Sequence, residues 1–356
     1  MKAISLFSSA GVGETYLNEI GIDVVCGAEL LDKRAKLFKH LYPESNIITG
    51  DISKKEVKDK ISRFISEDVK LLLATPPCQG VSSVGKNKSQ DQFLEDARNF
   101  LIFDVFYFID NFDFDAILIE NVSKFLKMSF PYEGEMLQIE QLVTKKYRGR
   151  YKVKTLNINA QDYGVPQSRP RCFIKLFKQD YSWPSPKEER PITLREAIGH
   201  LPSLESGESS NIKWHYAKKI NERDVLALKH TPTGKSAMAN DFYYPRKING
   251  EKVRGFHNTY KRLDWDLPCH ARTTKSGEIS SHNNGHPGVL KSNGTYSDAR
   301  VLTILELLIV SSLPQNWDIP DWANDRFIRH VIGESVPPLL LKKVLQSLEI
   351  KTYEKK

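Results

Sequence analysis

A thiol, a carboxylate and a pair of guanidiniums are spaced in this sequence so that one fold could bring them to a single pocket. Cys78 follows the apolar run Leu71 to Thr75 through Pro76 and Pro77. Two prolines end a strand's hydrogen-bond ladder abruptly, and in an open α/β sheet the C-terminal strand edge is where ligands bind. A cysteine there, leading into a Gly/Ser-rich stretch, suits a nucleophile. A buried structural cysteine is the commoner fate of a lone thiol, and this stretch alone leaves both open. Glu120 follows a second apolar run, Asp115 to Ile119, and either sits at the same functional edge or caps the next helix. Arg169 and Arg171 alternate, so an extended backbone puts both on one face. Guanidiniums placed so can lower a thiol pKa, bind an anion or donate to a carbonyl. A solvent-facing edge strand is the plainer reading of that pair.

The elements that must position these groups are legible as alternating strands and helices. Ala3 to Phe7 reads as a first strand, turning through Ser8-Ser9-Ala10-Gly11-Val12-Gly13 into a helix that starts near Glu14. Asp23 to Cys26 reads as a second strand, ending in Gly27-Ala28-Glu29-Leu30. Asn46 to Thr49 reads as a third, ending in Gly50-Asp51-Ile52. An acid after strand two is placed to accept from ribose hydroxyls, and one after strand three from an exocyclic amine. Glu29 and Asp51 could each be a helix cap, but at successive strand ends they describe an adenosine site. The first turn lacks the GxGxxG spacing, so pyrophosphate is not the expected ligand. Helices are expected over Asp96 to Asn111 and Glu135 to Lys146, and strands over Lys152 to Asn159 and Cys172 to Leu176. The loop from Val81 to Phe93 has no apolar period and is expected to move.

With 356 residues and 40% hydrophobic content the chain can bury a large core. Between Ser185 and Arg300 lie 19 basic and 13 acidic residues, 6 of the net charge of +8, together with seven of the nine histidines. Prolines and short polar stretches replace the strand-helix alternation there, as in a second domain of loops and short strands. Its arginines and lysines, interleaved with Phe256, Tyr260 and Trp265, are what phosphate and base-edge contacts require. Periodic helices return at Thr303 to Ser312 and Leu339 to Leu348. The four cysteines are far apart with no CxxC, fitting a reducing cytosol. Cys269, His282 and His286 could be imagined as metal ligands, but Gly285 and Pro287 deny the helix such a pair needs, and no metal is expected. The apolar run after Lys2 is too short for a secretory leader, and no stretch reaches the length of a membrane span.

Taken together, Phe7…Gly11, Glu29, Asp51, Pro77-Cys78-Gln79, Glu120-Asn121-Val122, Gln167-Ser168-Arg169-Pro170-Arg171, Arg300…Glu306 and Gly333-Glu334-Ser335-Val336-Pro337-Pro338 resemble the ordered motif set of the DNA (cytosine-5)-methyltransferases. The resemblance spans nearly the whole chain outside the second domain. It implies a Rossmann-like α/β sheet with helices on both faces that binds S-adenosylmethionine, plus a smaller, irregular, β-containing target-recognition domain. The implied boundaries are residues 1–188 and 328–356 for the catalytic domain, 189–300 for target recognition and 301–327 for a helical hinge.

By the same resemblance Cys78 adds to C6 of a flipped-out cytosine, and Glu120 holds the ring nitrogen N3 through a proton. Arg169 and Arg171 assist, and the methyl passes to C5. A free thiol has a pKa of ~8.5, so neighbouring positive charge would help. The cofactor, leaving as S-adenosylhomocysteine, would be held by Phe7, Ser9, Gly11, Glu29, Leu30, Asp51, Ile52, Pro76, Leu101, Ser335 and Val336. Double-stranded DNA would be met by Gln79, Ser82, Lys86, Lys88, Gln167, Arg254, Arg272, Thr274, Lys275 and Asn283, and the loop after Cys78 would close over the base. Ser9 and Val12 stand where the family commonly has glycines, and Glu334 where it has Asn, which bears on cofactor packing.

The implied setting is a monomer in the bacterial cytosol, the modification half of a restriction-modification system whose endonuclease is encoded nearby rather than bound. Two readings compete with it: methylation of tRNA cytosine on the same fold, and a catalytically silent DNA-binding protein. Amino-methylation would want an aromatic residue where Cys78 stands.

Overall fold

The computed structural model describes residues 1–77, 96–240 and 242–350. In chain order the first elements are β1 (Lys2–Leu6), β2 (Asp23–Glu29), α1 (Asp32–Leu41), β3 (Asn46–Thr49), α2 (Lys55–Ser62) and β4 (Val69–Ala74). Next come α3 (Ile102–Asn111), β5 (Ala116–Asn121), β6 (Ser129–Tyr132), β7 (Glu135–Gln138), α4 (Ile139–Lys146) and β8 (Lys152–Asn159). Then follow β9 (Gln167–Ser168), β10 (Pro170–Phe177), β11 (Tyr181–Ser182), α5 (Leu194–Ile198), α6 (Glu222–Lys229) and β12 (Cys269–His270). The last are α7 (Ile304–Val310), α8 (Asp325–Glu334), α9 (Pro338–Gln346) and β13 (Glu349–Ile350).

The chain forms two compact units. The first comprises Met1–Asn159, Pro170–Glu188 and Leu340–Lys356, and the second Ala160–Arg169 with Glu189–Leu339. The first unit is built on a seven-stranded sheet of order β3-β2-β1-β4-β5-β10-β8. β1 to β5 run parallel, and β10 lies antiparallel between β5 and β8. β5 is buried along its whole length, as a strand covered on both faces must be, and this is why it reads as an unbroken apolar run. The register aligns Leu6 with Ala28 and Ala74, and Ala74 with Ile119, so four parallel strands end level at one edge.

Three local expectations are corrected. No α-helix starts at Glu14; two 3₁₀ turns, Gly13–Tyr16 and Asn18–Ile20, occupy the stretch, closed by Gly21 in the left-handed region. Glycine at both ends of so short a stretch leaves room for single tight turns only. The helix expected from Glu135 begins at Ile139, because Glu135–Gln138 pairs with β6 across a turn at Glu133 and Gly134, both at positive φ. Gln138 and Gln141 then form a capping box that fixes the helix start. β2 continues past Cys26 to Glu29, so the acid closes the strand itself.

Among the described residues the regular structure of the second unit is α5 to α8, the two-residue pair β9–β12, short 3₁₀ turns and scattered bridges, and buried arginines act as its struts. Arg262 donates to the carbonyls of Leu228, His286, Ser297 and Asp298. Arg300 donates to both oxygens of Glu306 and to Asp298. Arg329 joins Asp325 to the Leu302 carbonyl. Carbonyls without a ladder partner must still be satisfied, and a guanidinium offers five donors in a fixed fork. These three arginines are therefore structural rather than free to meet a polyanion. Residues 301–339 fall within the second compact unit.

Candidate active site

The level strand ends of the first unit gather the turn after β1, Glu29, Pro76 and Glu120. Glu120 lies near the end of β5, opposite Phe173 of β10, and Arg171 sits two residues earlier on that antiparallel neighbour. Arg171 Nε lies 2.7 Å from Glu120 Oε1, with both side chains largely buried. An ion pair with little water around it holds the carboxylate in one orientation. The next residue, Asn121, donates from Nδ2 to the carbonyl of Pro76 at 3.0 Å, while its Oδ1 accepts from the Val122 amide at 2.8 Å. Asn121 thus ties β5 to the turn two residues before Cys78. It was not picked out as a site residue; its place beside Glu120 was the available signal.

Cys78 itself, with Gln79, Ser82, Lys86, Lys88 and the loop expected to close, lies outside the described residues. The three cysteines among the described residues are all buried. Burial pushes the Cys26 thiol up to about 12 and raises that of Cys269 as well, the opposite of what a thiolate nucleophile needs.

The turn after β1 is conformationally strained. Phe7, Ser9 and Gly11 have φ of 60°, 50° and 78°, the left-handed region that favours glycine. Ser9 adopts this conformation without being a glycine. The Ser8 amide donates to the Ala28 carbonyl, Gly11 closes back on Ser8, and Thr75 Oγ1 donates to the Phe7 carbonyl. Tyr42 donates its hydroxyl to the Gly11 carbonyl at 2.5 Å. A Cβ on Gly11 would lie 2.3 Å from that ring, so glycine is required twice over. Below the turn Ser5 Oγ donates to Glu14 Oε1 at 2.5 Å, and burial pushes the Glu14 carboxyl up to about 7. Sequence reasoning gave Glu14, Ser5 and Tyr42 no role; a carboxylate beside Gly13 with a serine facing it was the signal.

Glu29 Oε1 accepts from the Leu31 amide at 3.0 Å and lies 3.6 Å from Arg34. Leu30 is 61% exposed beside it. Asp51 Oδ1 accepts from the Ser53 amide, which holds its carboxyl below the usual range. Ile52 and Pro76 are buried, and Leu101 half-buried. Two strand-end carboxylates beside an exposed leucine are acceptors that suit the hydroxyls and exocyclic amine of an adenosine.

The arginine pair divides between the units. Arg171 serves Glu120, whereas Arg169, in the second unit, is buried and donates to the carbonyls of Arg272 and Gly333. Arg169 lies between β9, which ends at Ser168, and β10, which starts at Pro170, and the two arginines bond to different partners. Gln167 also turns inward, donating to the Val310 carbonyl and accepting from the Arg272 amide. Arg272, expected on a base edge, is 1% exposed and donates to His270, Asn283 and Asn284. Asn283 is half-buried, and Arg254, Thr274 and Lys275 are exposed. Ser335 Oγ donates to the Val331 carbonyl, and Val336 is buried. A Cβ at Gly333 would lie 2.1 Å from the Thr273 carbonyl oxygen, which explains that glycine. His286, enclosed beside Arg300, is lowered to about 4 and stays neutral. Among the described residues no group of His, Cys, Asp and Glu could hold a metal, and no helix is long and apolar enough to cross a membrane.

A mostly parallel α/β sheet with an arginine-held glutamate at the C-terminal edge of its strands is the frame of a methyltransferase-type enzyme. The chain belongs to the C-5 cytosine-specific DNA methylase family, which matches residues 1–349. It is 42% identical over 349 residues to the Type II methyltransferase M1.HgaI of Avibacterium volantium, covering 98% of each chain. It is 30% identical to the Type II methyltransferase M.NgoPII of Neisseria gonorrhoeae, covering 100% of this chain and 97% of that one. Among solved structures, a DNMT2 mutant of Spodoptera frugiperda shares the fold with a TM-score of 0.62 at 17% identity, covering 97% of this chain and 98% of that one.

Proposed function

We propose that this DNA methylase transfers a methyl group from S-adenosylmethionine to C5 of a flipped-out cytosine in a specific duplex sequence, through a covalent bond between Cys78 and C6. The observation that carries the reading is the Glu120–Arg171 ion pair at the end of β5, beside the Asn121 tie to the Pro76 carbonyl. C5 of cytosine is a weak nucleophile, and a thiolate added at C6 makes it enamine-like. Glu120 holds a proton at N3, which draws electron density from C6 as the Cys78 sulfur bonds to it. Arg171 fixes the Glu120 orientation. The cofactor supplies an electrophilic methyl group, and Phe7, Ser9, Gly11, Glu29, Leu30, Asp51, Ile52, Pro76 and Leu101 are the residues of the first unit that would hold it. Loss of the C5 proton to water and breakage of the S–C6 bond restore the aromatic ring. The base must leave the duplex for this, at a cost of a few kcal/mol. The likeness to Type II methyltransferases supports a role as the modification enzyme of a restriction-modification system in the cytosol.

Incubation with methyl-labelled S-adenosylmethionine and mixed duplex DNA, followed by nucleoside analysis, tests the reading. Label in 5-methylcytosine is expected. Label on an exocyclic nitrogen, or on tRNA and not on DNA, would overturn it.

A further inference from the structure

The second unit displays a short β-ribbon whose two faces differ in chemistry. Arg246 and Lys252 face each other in an antiparallel bridge, the Val253 amide donates to the Pro245 carbonyl, and the Lys247 amide to the Glu251 carbonyl. Gly250, at a φ of 83°, closes the turn by donating to the Lys247 carbonyl. Because side chains alternate along a strand, Tyr244, Arg246, Lys252 and Arg254 share one face. The other carries buried Pro245 and half-buried Val253, and Val253 packs on the core built around Tyr260 and Ile279. The ribbon is fixed by its apolar face, by the Tyr244 hydroxyl on the Val253 carbonyl, and by Lys252 over the Tyr244 ring at 4.9 Å.

What it presents outward is basic with an apolar tip. Between Phe242 and His257 four cations are exposed and the single acid, Glu251, is already paired with Lys247 at 3.0 Å. Ile248 stands in the turn at 89% exposure, and Phe256 flanks the base at 82%. Large apolar side chains left in water mark an interaction surface, and the surrounding charge selects a polyanion. The major groove of B-DNA admits a two-stranded ribbon. Phosphates on its rims suit the cations, and base edges on its floor suit an apolar tip.

We infer that the ribbon from Tyr244 to Arg254 is the sequence-reading element of this enzyme, entering the major groove with Ile248 against base edges and Arg246, Lys252 and Arg254 on phosphates. This rests on the reading of the protein as a DNA methylase and assigns its target contacts to residues other than the buried Gln167 and Arg272. Ile248 at the tip is 89% exposed and away from the Val253 contact with the core, so substitutions there should leave the fold intact.

The test compares wild type with Ile248→Ala, Ile248→Asp and Arg254→Ala, each checked by thermal melting. Duplex binding is read by anisotropy of a labelled duplex of mixed sequence across a salt series, and methylated positions are mapped by bisulfite sequencing. Arg254→Ala should weaken binding to all duplexes and lower the salt slope by about 1. Ile248→Ala and Ile248→Asp should cut cognate methylation about tenfold or more, or relax the preference at one base position. A surface for a protein partner would leave affinity, salt slope and sequence profile unchanged, which overturns the inference. Should wild type place no 5-methylcytosine on DNA, the functional reading falls, and the anisotropy series still decides whether the ribbon meets duplex.

Discussion

Arg171 Nε and Glu120 Oε1 lie 2.7 Å apart across two antiparallel strands, β10 and β5, that hold each other in register from Asn121 to Ala116. The sheet, and not a loop, sets the orientation of the carboxylate, so the pair is pre-organised before substrate arrives. Glu120→Gln keeps shape and removes the acid. Its single-turnover methylation rate should fall about 10²-fold or more, the usual share of a positioned proton donor. Arg171→Ala should reduce the rate with little change in cofactor affinity. Arg171→Lys should not rescue it, because a flexible ammonium cannot reproduce the Nε contact.

Asn121 makes the corresponding argument for the thiol turn. Its Nδ2 holds the Pro76 carbonyl, so Asn121→Ala leaves a buried acceptor unsatisfied at a cost of roughly 1–3 kcal/mol. Asn121→Asp offers an acceptor where a donor is needed and should be worse. Both should lower the methylation rate more than they raise the KM for cofactor. Equal changes in the two would make Asn121 a stability residue only.

Glu14 predicts a pH signature in stability. Its folded pKa, raised to about 7 by burial, exceeds the ordinary carboxyl value of 4.5. The contribution of this group is therefore fully present below that ordinary value and is lost as pH rises towards 7. Glu14→Gln stays neutral throughout. Relative to it, wild type should lose up to ~3 kcal/mol of unfolding free energy between the two values, readable by chemical denaturation at each pH. A constant offset between the two proteins would show that Glu14 does not titrate in the fold.

The first unit was largely legible in the sequence because its strands are buried on both faces, and such strands write themselves as apolar runs ending at turn residues. Glu29, Asp51, Pro76 and Glu120 could be placed by strand order alone. The second unit was opaque for a physical reason. Its order comes from guanidiniums donating to carbonyls far along the chain, as Arg169 does to Arg272 and Gly333. Nothing in local pattern tells an arginine that braces a loop from one that meets a phosphate. The resemblance implies DNA contacts for Arg272 and Gln167, and both side chains are buried and hydrogen-bonded within the second unit. The Glu135–Gln138 strand was missed because its residues also suit a helix; Gly134 was the punctuation that marked the turn.

The central claim is that Cys78 forms a bond to the cytosine ring, and a duplex carrying 5-fluorocytosine at the mapped target position tests it most directly. Fluorine at C5 cannot leave as a proton does, so the adduct is arrested after methyl transfer. With S-adenosylmethionine present, wild type should give a protein–DNA complex that survives denaturation, with the modified peptide containing Cys78, and Cys78→Ser should give none. A wild type that turns over without a trapped complex, or a complex that persists in Cys78→Ser, would contradict the account.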